Sequence, residues 1–452
     1  MRGLLAFGSA ALLVAGCSVY DSSLKQRPAV GAGGASTGGA AGGGGGGTSG
    51  GGMTAAGGVD SGVCTLKTYP PKPTGTNLGG DREIIAVQSD IDLGDVDTTT
   101  TNPSPMNYLA IGYDLDKLCD RTATTALTMP GCTLPKGSLG IIDGPNGQDN
   151  SMGALIQLVH ERIPNFSSVV YSQQLQNGAA NAVLHVTGYN GTPDDDQVRL
   201  EALVSARFDA LQPGATPKWD GTDVWPIASD SVSNNNLKQP KNVDNNAYIS
   251  GGKLVGTLGD SGFRLLIGLT AAFKVNLSLQ LHAAFLVCDV KALDAASTNF
   301  TLKNCTLAGR WTTDQLLKQV WHFPDPLDLT NPKPLCTNST SYSIFKTAIC
   351  QSADITSSGT AGPTDPCDAI SFGVNFNTEP ALLGDVFAVD LTAPACDPDV
   401  DPTNDSCESN DAGLPPGTGG GGGAGGAGGA TSSGGSSSGG RDAGIRDAGA
   451  DG

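Results

Sequence analysis

One stretch of this chain leaves little choice of fold. Phe273, Val275, Leu277, Leu279, Leu281, Ala283, Phe285 and Val287 are apolar, and Lys274, Asn276, Ser278, Gln280 and His282 stand between them. Successive side chains of a strand point to opposite faces, so a period of two sustained this long calls for a β-strand with one buried face. Ala284, Leu286 and Cys288 break the polar parity at the far end. The run exceeds an ordinary strand, which predicts that it bends or continues between sheets. Val198, Leu200, Ala202, Val204, Ala206 and Phe208 repeat the pattern with Arg199, Glu201, Ser205 and Arg207 opposite, and Ile370, Phe372, Val374 and Phe376 repeat it again. Gly251-Gly252, between Ala247–Ser250 and Lys253–Leu258, reads as a hairpin turn.

Helical signals are fewer. Asn150 or Ser151 is placed to cap a helix through about Glu161, stopped by Pro164. Thr312 and Gln315 have the spacing of a capping box before Leu316, Leu317 and Val320. Ser339 or Thr340 starts a third helix, ending near Cys350. Many alternating strands with few helices predict a mainly β chain: an antiparallel β-sandwich or jelly-roll-like core with a few short helices, flanked by disordered Gly-rich segments.

Glycine sets the boundaries of that core. Of 452 residues 65 are glycine, concentrated from Gly31 to Gly62 and from Gly417 to Gly452. Such stretches lack the apolar surface that offsets ordering entropy, so both are expected to be disordered. The start of the chain has a secretory pattern: a basic residue, Arg2, an apolar run from Leu4 to Gly16, and small residues at its exit. The expected organisation is therefore a signal peptide over 1–16, a Gly-rich linker over 17–63, a β-rich domain over 64–407 and a Gly/Ser-rich tail over 408–452. A coil like the first linker has a root-mean-square span of about 30–35 Å.

The formal charge is −18, from 44 acidic and 26 basic residues, with no Lys/Arg cluster, which argues against a nucleic-acid partner. Ten cysteines follow Cys17: Cys64, Cys119, Cys132, Cys288, Cys305, Cys336, Cys350, Cys367, Cys396 and Cys407. An even count in an exported chain, with no C-x-x-C pair, points to disulfides rather than zinc or redox thiols. Local closure costs least entropy, which favours Cys119–Cys132, Cys288–Cys305 and Cys396–Cys407.

Val14-Ala15-Gly16-Cys17 resembles the lipobox of bacterial lipoproteins. The resemblance covers the leader and implies that Cys17 becomes the lipidated first residue of the mature chain, carrying fatty acid such as palmitate. Ser18 follows it where an Asp commonly retains lipoproteins of Gram-negative bacteria at the inner membrane, so the resemblance implies the outer membrane or cell surface. Gly259-Asp260-Ser261-Gly262 resembles the tetrapeptide around the nucleophile of chymotrypsin-like serine proteases, which would make Ser261 a nucleophile. Phe263 departs from that pattern, however, and no histidine has the expected context; a turn accounts for the tetrapeptide.

Four histidines (His160, His185, His282 and His322) have no metal-ligand spacing. Acidic clusters carry the more promising chemistry. Asp90, Asp92, Asp95 and Asp97 fall together; Asp143, Asn146 and Asp149 lie in one Gly-containing loop; Asp397, Asp399 and Asp401 lie between two cysteines. Calcium takes six to eight hard oxygens from sharply turning loops, so the last two sets are the candidate calcium ligands and calcium the one candidate cofactor. Trp219 and Trp225, in a polar loop, are the better placed tryptophans for stacking on sugars, against core packing. The glutamates available for glycoside hydrolysis (Glu83, Glu161, Glu201, Glu379 and Glu408) form no evident couple. With no catalytic constellation in view, the expected role is binding or structural: a surface-displayed lipoprotein, held to the membrane by its lipid, with a glycan or protein partner. The competing expectation is a secreted carbohydrate-active enzyme on a β-sandwich, which requires two carboxylates roughly 5–9.5 Å apart in a cleft.

Overall fold

The computed structural model describes residues 66–407 apart from 76–78, 96–105, 119–130, 139–142, 163–166, 211, 269–273, 295–298, 324, 326–332, 360–361 and 389–395. Cys17 and its leader, Cys64, Asp97, Cys119 and both glycine-rich stretches lie outside the described residues. In chain order the elements are β1 (Arg82–Gln88), α1 (Ser151–Arg162), α2 (Ser168–Gln176), β2 (Ala182–Tyr189), β3 (Asp195–Val204), β4 (Val224–Ala228), β5 (Val232–Ser233), β6 (Asn236–Pro240) and β7 (Val243–Ser250). They continue with β8 (Lys253–Gly268), β9 (Lys274–Ala292), β10 (Phe300–Thr312), α3 (Thr313–Leu317), α4 (Thr340–Gln351), β11 (Ala369–Phe376), β12 (Thr378–Pro380) and β13 (Leu382–Phe387).

The molecule is mainly β, with a large antiparallel sheet and few short helices, as the alternation requires. Nine strands run in the order β11-β10-β9-β8-β7-β3-β2-β1-β12. The two ends of that list meet. Asn377 separates β11 from β12, and its carbonyl accepts from Ser89 N–H at 2.9 Å, while Asp92 and Asn375 exchange backbone bonds of 2.7 and 3.1 Å. Thr378 Oγ1 donates to the Leu302 carbonyl at 2.5 Å, tying β12 back to β10. The opposed layers of a sandwich are thus two halves of one sheet that curls almost into a barrel.

Its interior holds Ile84, Leu184, Leu200, Ala202, Ile249, Leu254, Leu286 and Leu302, and it is filled from one end by Leu155 and Ile156 of α1, Leu175 of α2 and Phe345 and Ile349 of α4. A second cluster on the outer face of β1–β3 packs Val87, Val183 and Leu203 against Trp225 and Ile227 of β4. A third, outside β7–β10, packs Tyr248, Val255, Phe285 and Val287 against Tyr113. Several strands are therefore buried on both faces.

That double burial explains the break in parity near Cys288. Ala283 has a φ of 49°, and the β9–β10 register shifts between Ala308 and Arg310. The extra residue of this bulge exchanges the two faces of the strand. Leu281, Ala284, Leu286 and Cys288 all belong to the interior cluster, whereas Phe285 and Val287 belong to the outer one. Within the apolar alternation, Leu281 therefore lies on one face and Phe285 and Val287, beyond Ala283, on the opposite one. A matching irregularity lies in β10, where Asn304 has a φ of 47° and the register shifts between Lys303 and Thr306, so Leu302 and Cys305 both face inward.

Local signals place most other elements. Gly251 and Gly252 have φ of 58° and 77°, and Ser250 pairs with Lys253, the geometry of a two-residue turn that needs positive φ at both positions. Ser339 caps α4 through Tyr342 N–H, and Thr312 caps α3 through Gln315 N–H. Asn150 Oδ1 accepts from Gly153 N–H at 3.2 Å at the start of α1. α2, capped by Ser167, carried no sequence-level prediction. β3 ends at Val204, short of Phe208, because the Ala206 N–H bonds instead to the Pro226 carbonyl at 2.8 Å.

Four disulfides join described cysteines: Cys132–Cys367, Cys288–Cys305, Cys336–Cys396 and Cys350–Cys407. Cys288–Cys305 is the expected local pair. Pairing of Cys132 with Cys119 and of Cys396 with Cys407 is overturned. Loop entropy grows by only about 0.6 kcal/mol per doubling of length, too little to outweigh the positions that packing imposes. Cys350 sits on the buried face of α4, and the tail is held along that helix, with Asp405 accepting from Tyr342 Oη at 2.7 Å and from Lys346 Nζ at 2.6 Å.

Candidate metal centre

Tyr113 and Asp149 form an isolated antiparallel bridge, Asp149 N–H donating to the Tyr113 carbonyl at 3.0 Å. The bridge brings the Asp114-Leu115-Asp116 segment alongside the loop that ends in Asp149. One carboxylate oxygen each from Asp114, Asp116 and Asp149 lies within 4.8 Å of the others, the one such acidic group among the described residues. Asp149 is 3 % exposed, and its Oδ2 accepts from Leu115 N–H at 2.6 Å. Asp116 Oδ1 accepts from Leu118 N–H at 2.8 Å and Asp114 Oδ1 from Lys117 N–H at 2.6 Å, in a turn where Lys117 has a φ of 66°. The second oxygen of Asp114, Oδ2, is buried with no hydrogen-bond partner.

The sheet closes the site from below. Arg310 of β10, 5 % exposed, donates through Nη1 to the Thr356 carbonyl at 2.5 Å and through Nη2 to the Leu115 carbonyl. Asp354 accepts from Ser371 N–H at 2.8 Å and from its Oγ at 2.5 Å, in β11. Gly373 lets the covering segment press onto β11: a Cβ there would lie 2.9 Å from the Gly112 Cα.

Electrostatics mark the cluster as overcharged. Burial pushes the Asp114 carboxyl up to about 6 and that of Asp354 up to about 7. Asp149 is raised well above the carboxylate range, first by burial and then by Asp116, Asp143 and Asp354. Asp116 is raised by burial, against the pull of Arg310. Asp116, Asp149 and Asp354 thus face one guanidinium, Arg310, with Asp114 and Asp143 beside them and Lys117 next to Asp114. Acids outnumber the cations near them, so the site holds protons or admits a cation. Donors that are all carboxylate oxygens suit a hard ion, calcium or magnesium, and offer none of the nitrogen or sulfur that zinc and copper sites use.

Of the predicted ligands, Asp149 is in the cluster and Asp143 stands close enough to raise it. Asn146 is exposed and is engaged through its backbone, its carbonyl accepting from Lys67 N–H at 2.8 Å and its N–H donating to Gln148 Oε1 at 2.8 Å. Asp397, Asp399 and Asp401 do not converge: the first two are exposed, and Asp401 caps a turn through Thr403 N–H at 2.8 Å. Pro398 and Pro402 each start a short 3-10 turn, which straightens this segment past α4 instead of wrapping it around an ion. Asp114 and Asp116 were not anticipated. Their signal was the Asp-x-Asp spacing, which in an extended segment places both on one side.

The other candidates resolve into packing and turns. Trp225 is fully buried, and Trp219 packs on it with ring centroids 5.5 Å apart, so this pair offers no open stacking platform. Gly259–Gly262 lies within β8 and not in a turn; Gly259 has a φ of 62° and marks a bulge, and Asp260 sits 3.2 Å from His282. His185 is bonded on both sides, Nδ1 to Glu201 at 2.8 Å and Nε2 to Glu83 at 2.6 Å. Asp95 accepts from Ser168 at the start of α2, and Asp90 from Asn377 N–H at 2.7 Å. The chain matches no protein-family model, no curated protein and no solved structure.

Proposed function

We propose that this protein is a lipid-anchored, surface-displayed binding lipoprotein whose folded domain is locked by a calcium ion held by Asp114, Asp116 and Asp149. The observation that carries the calcium reading is the buried, unpartnered Oδ2 of Asp114 inside a group of three carboxylates. An ion there supplies the missing partner of that oxygen and removes the mutual repulsion of the acids. It would also tie together two separate pieces of chain, the covering segment at 113–118 and the loop ending at Asp149. Calcium affinities of extracellular modules are typically 10⁻⁴–10⁻³ M, which makes such a lock open before export and closed after it.

Attachment rests on the Val14-Ala15-Gly16-Cys17 pattern, with Cys17 as the acylated residue and the outer membrane as destination. The long tether lets the domain reach a glycan or protein partner away from the lipid surface. Two measurements test the proposal. Calcium titrated calorimetrically into the chelator-treated protein is expected to bind at one site, and Asp114→Asn to weaken it at least tenfold; no heat in the wild type rejects the calcium lock. Labelled palmitate is expected in the wild type and not in Cys17→Ser, and a wild type that takes up no label rejects the anchor.

A further inference from the structure

Eight of the ten cysteines after Cys17 are occupied in Cys132–Cys367, Cys288–Cys305, Cys336–Cys396 and Cys350–Cys407, which leaves Cys64 and Cys119. Both lie outside the described residues, yet each adjoins a described segment. Leu66 stands two positions after Cys64, and Leu118 immediately precedes Cys119.

Those two leucines meet over one glycine. Gly147 has a φ of 68°, and a Cβ on it would stand 2.9 Å from the Leu118 carbonyl oxygen and 2.9 Å from Leu66 Cδ2. The backbone ties the same pieces together. Lys67 N–H donates to the Asn146 carbonyl at 2.8 Å, and Asp114 N–H donates to the Lys67 carbonyl at 3.1 Å. Lys67 Nζ lies 4.7 Å from the centre of the Tyr113 ring. Further on, Tyr69 packs against Phe285 of β9 with ring centroids 4.9 Å apart, and Tyr248 Oη of β7 donates to the Pro70 carbonyl at 2.6 Å. The segment that opens the domain is thus a strap, laid over the acidic turn at 114–118 and across the outer face of the sheet.

Consecutive Cα atoms are about 3.8 Å apart, so Cys119 is one such step from Leu118 and Cys64 two from Leu66. A disulfide asks for a Cα–Cα distance of roughly 4.4–6.8 Å, a span that leads this short can close. We infer that Cys64 and Cys119 form a fifth disulfide, which clasps the opening strap to the acidic turn. Each thiol gives up a proton and an electron, and the two electrons reduce a disulfide oxidant of the export compartment to its two thiols. The tether joins the domain at this end, so a pull along it meets a covalent bond before it meets the two backbone hydrogen bonds of Lys67. That mechanical part rests on the lipid-anchor reading; the bond itself does not.

Tryptic digestion of the exported, unreduced wild type, alkylated in denaturant, tests the bond. Cleavage at Lys117 and Arg121 frees the peptide Leu118–Arg121, and cleavage at Lys67 frees the one that carries Cys64. The two are expected as one linked species that separates on reduction. Recovery of either peptide alkylated, or linked to any other cysteine, overturns the inference. An unacylated Cys17 in the same map, with the linked species present, counts against the anchor and still supports the bond. Hydrogen exchange reads the clasp: in Cys64→Ser/Cys119→Ser the amides of Lys67 and Asp114 are expected to exchange about tenfold faster, while those of β2 and β3 keep their rates. Unchanged exchange at Lys67 and Asp114 would overturn the clasp.

Discussion

Arg310 and Trp311 are neighbours in one strand and live in different media. On the outer face of β10 and β11, Arg310 meets Asp116, Asp149 and Asp354, and Ser371 donates to Asp354. On the inner face, Trp311, Ile370, Phe372 and Val374 belong to the apolar interior cluster. The pleat that points alternate residues to opposite sides makes the separation possible within a few ångströms. The difference teaches that such a sheet serves as a partition. One side gathers carboxylates around a guanidinium, the other gathers hydrocarbon, and neither compromises the other.

Substitutions at the two neighbouring positions should break this partition in opposite ways. Arg310→Leu removes the buried guanidinium that faces Asp116, Asp149 and Asp354 and leaves these acids buried together; a loss of about 3–5 kcal/mol in a urea melt under chelating conditions is expected. Trp311→Phe keeps the inner face apolar and should cost far less. Equal losses from the two variants would mean that the acids are not a coupled unit.

Cys132–Cys367 fastens the covering segment beside β11, and its removal as the double Ala variant should cost about 2–5 kcal/mol. Cys288–Cys305, closing a separation of 17 residues against 235, should cost less by about 2 kcal/mol if loop entropy governs. Loss of the longer-range bond is further expected to weaken calcium.

Calcium at a hundredfold excess over its dissociation constant should add about 2.7 kcal/mol, seen as a raised Tm, with magnesium a poor substitute because it holds its waters in a tight octahedron. Superimposable melts in chelator and in calcium would leave the outer face a proton store and not an ion site. The two states also differ in pH response. Asp114 and Asp354 titrate near 6 and 7 when folded, against about 3.9 for an unperturbed Asp. The native state therefore binds more protons, so the chelated protein should lose stability as pH rises from about 4 to 7. Calcium should flatten that slope. His185 adds to the same fall: burial lowers its pKa, but the bonds to Glu201 and Glu83 more than offset this, so its contribution is present below about 6.5 and lost as pH rises through the higher folded value.

The smallest effect is expected at the bulge. Ala283→Gly relieves a side chain held at positive φ, which gains stability by less than about 1 kcal/mol because glycine also frees the unfolded chain.

Much of the scaffold was legible because its signals are local. The turn at Gly251-Gly252, the cap at Ser339 and the alternation from Ile370 to Phe376 each depend on adjacent residues, and each appears where expected. What stayed hidden depends on distant partners. The bulge at Ala283 has no glycine or asparagine to announce it and is imposed by apolar layers on both sides of β9. Asp114 and Asp149 lie far apart in sequence and meet through a single bridge, so the acidic site showed only its Asp143–Asp149 half. Cys350 and Cys407 likewise meet because the tail runs back along α4, a path that no spacing of cysteines encodes.

The order of four cysteines has a consequence for how the molecule comes apart. Cys336 joins Cys396 and Cys350 joins Cys407, so the two covalent spans overlap. A peptide bond cut anywhere between Cys350 and Cys396 leaves two fragments that remain joined by both bridges. Proteolytic nicking in that stretch, which includes the turns before β11 and the segment beyond β13, therefore cannot shed the C-terminal part without a reductant. Damage at one point of the chain is converted into an internal scar, and the domain stays in one piece.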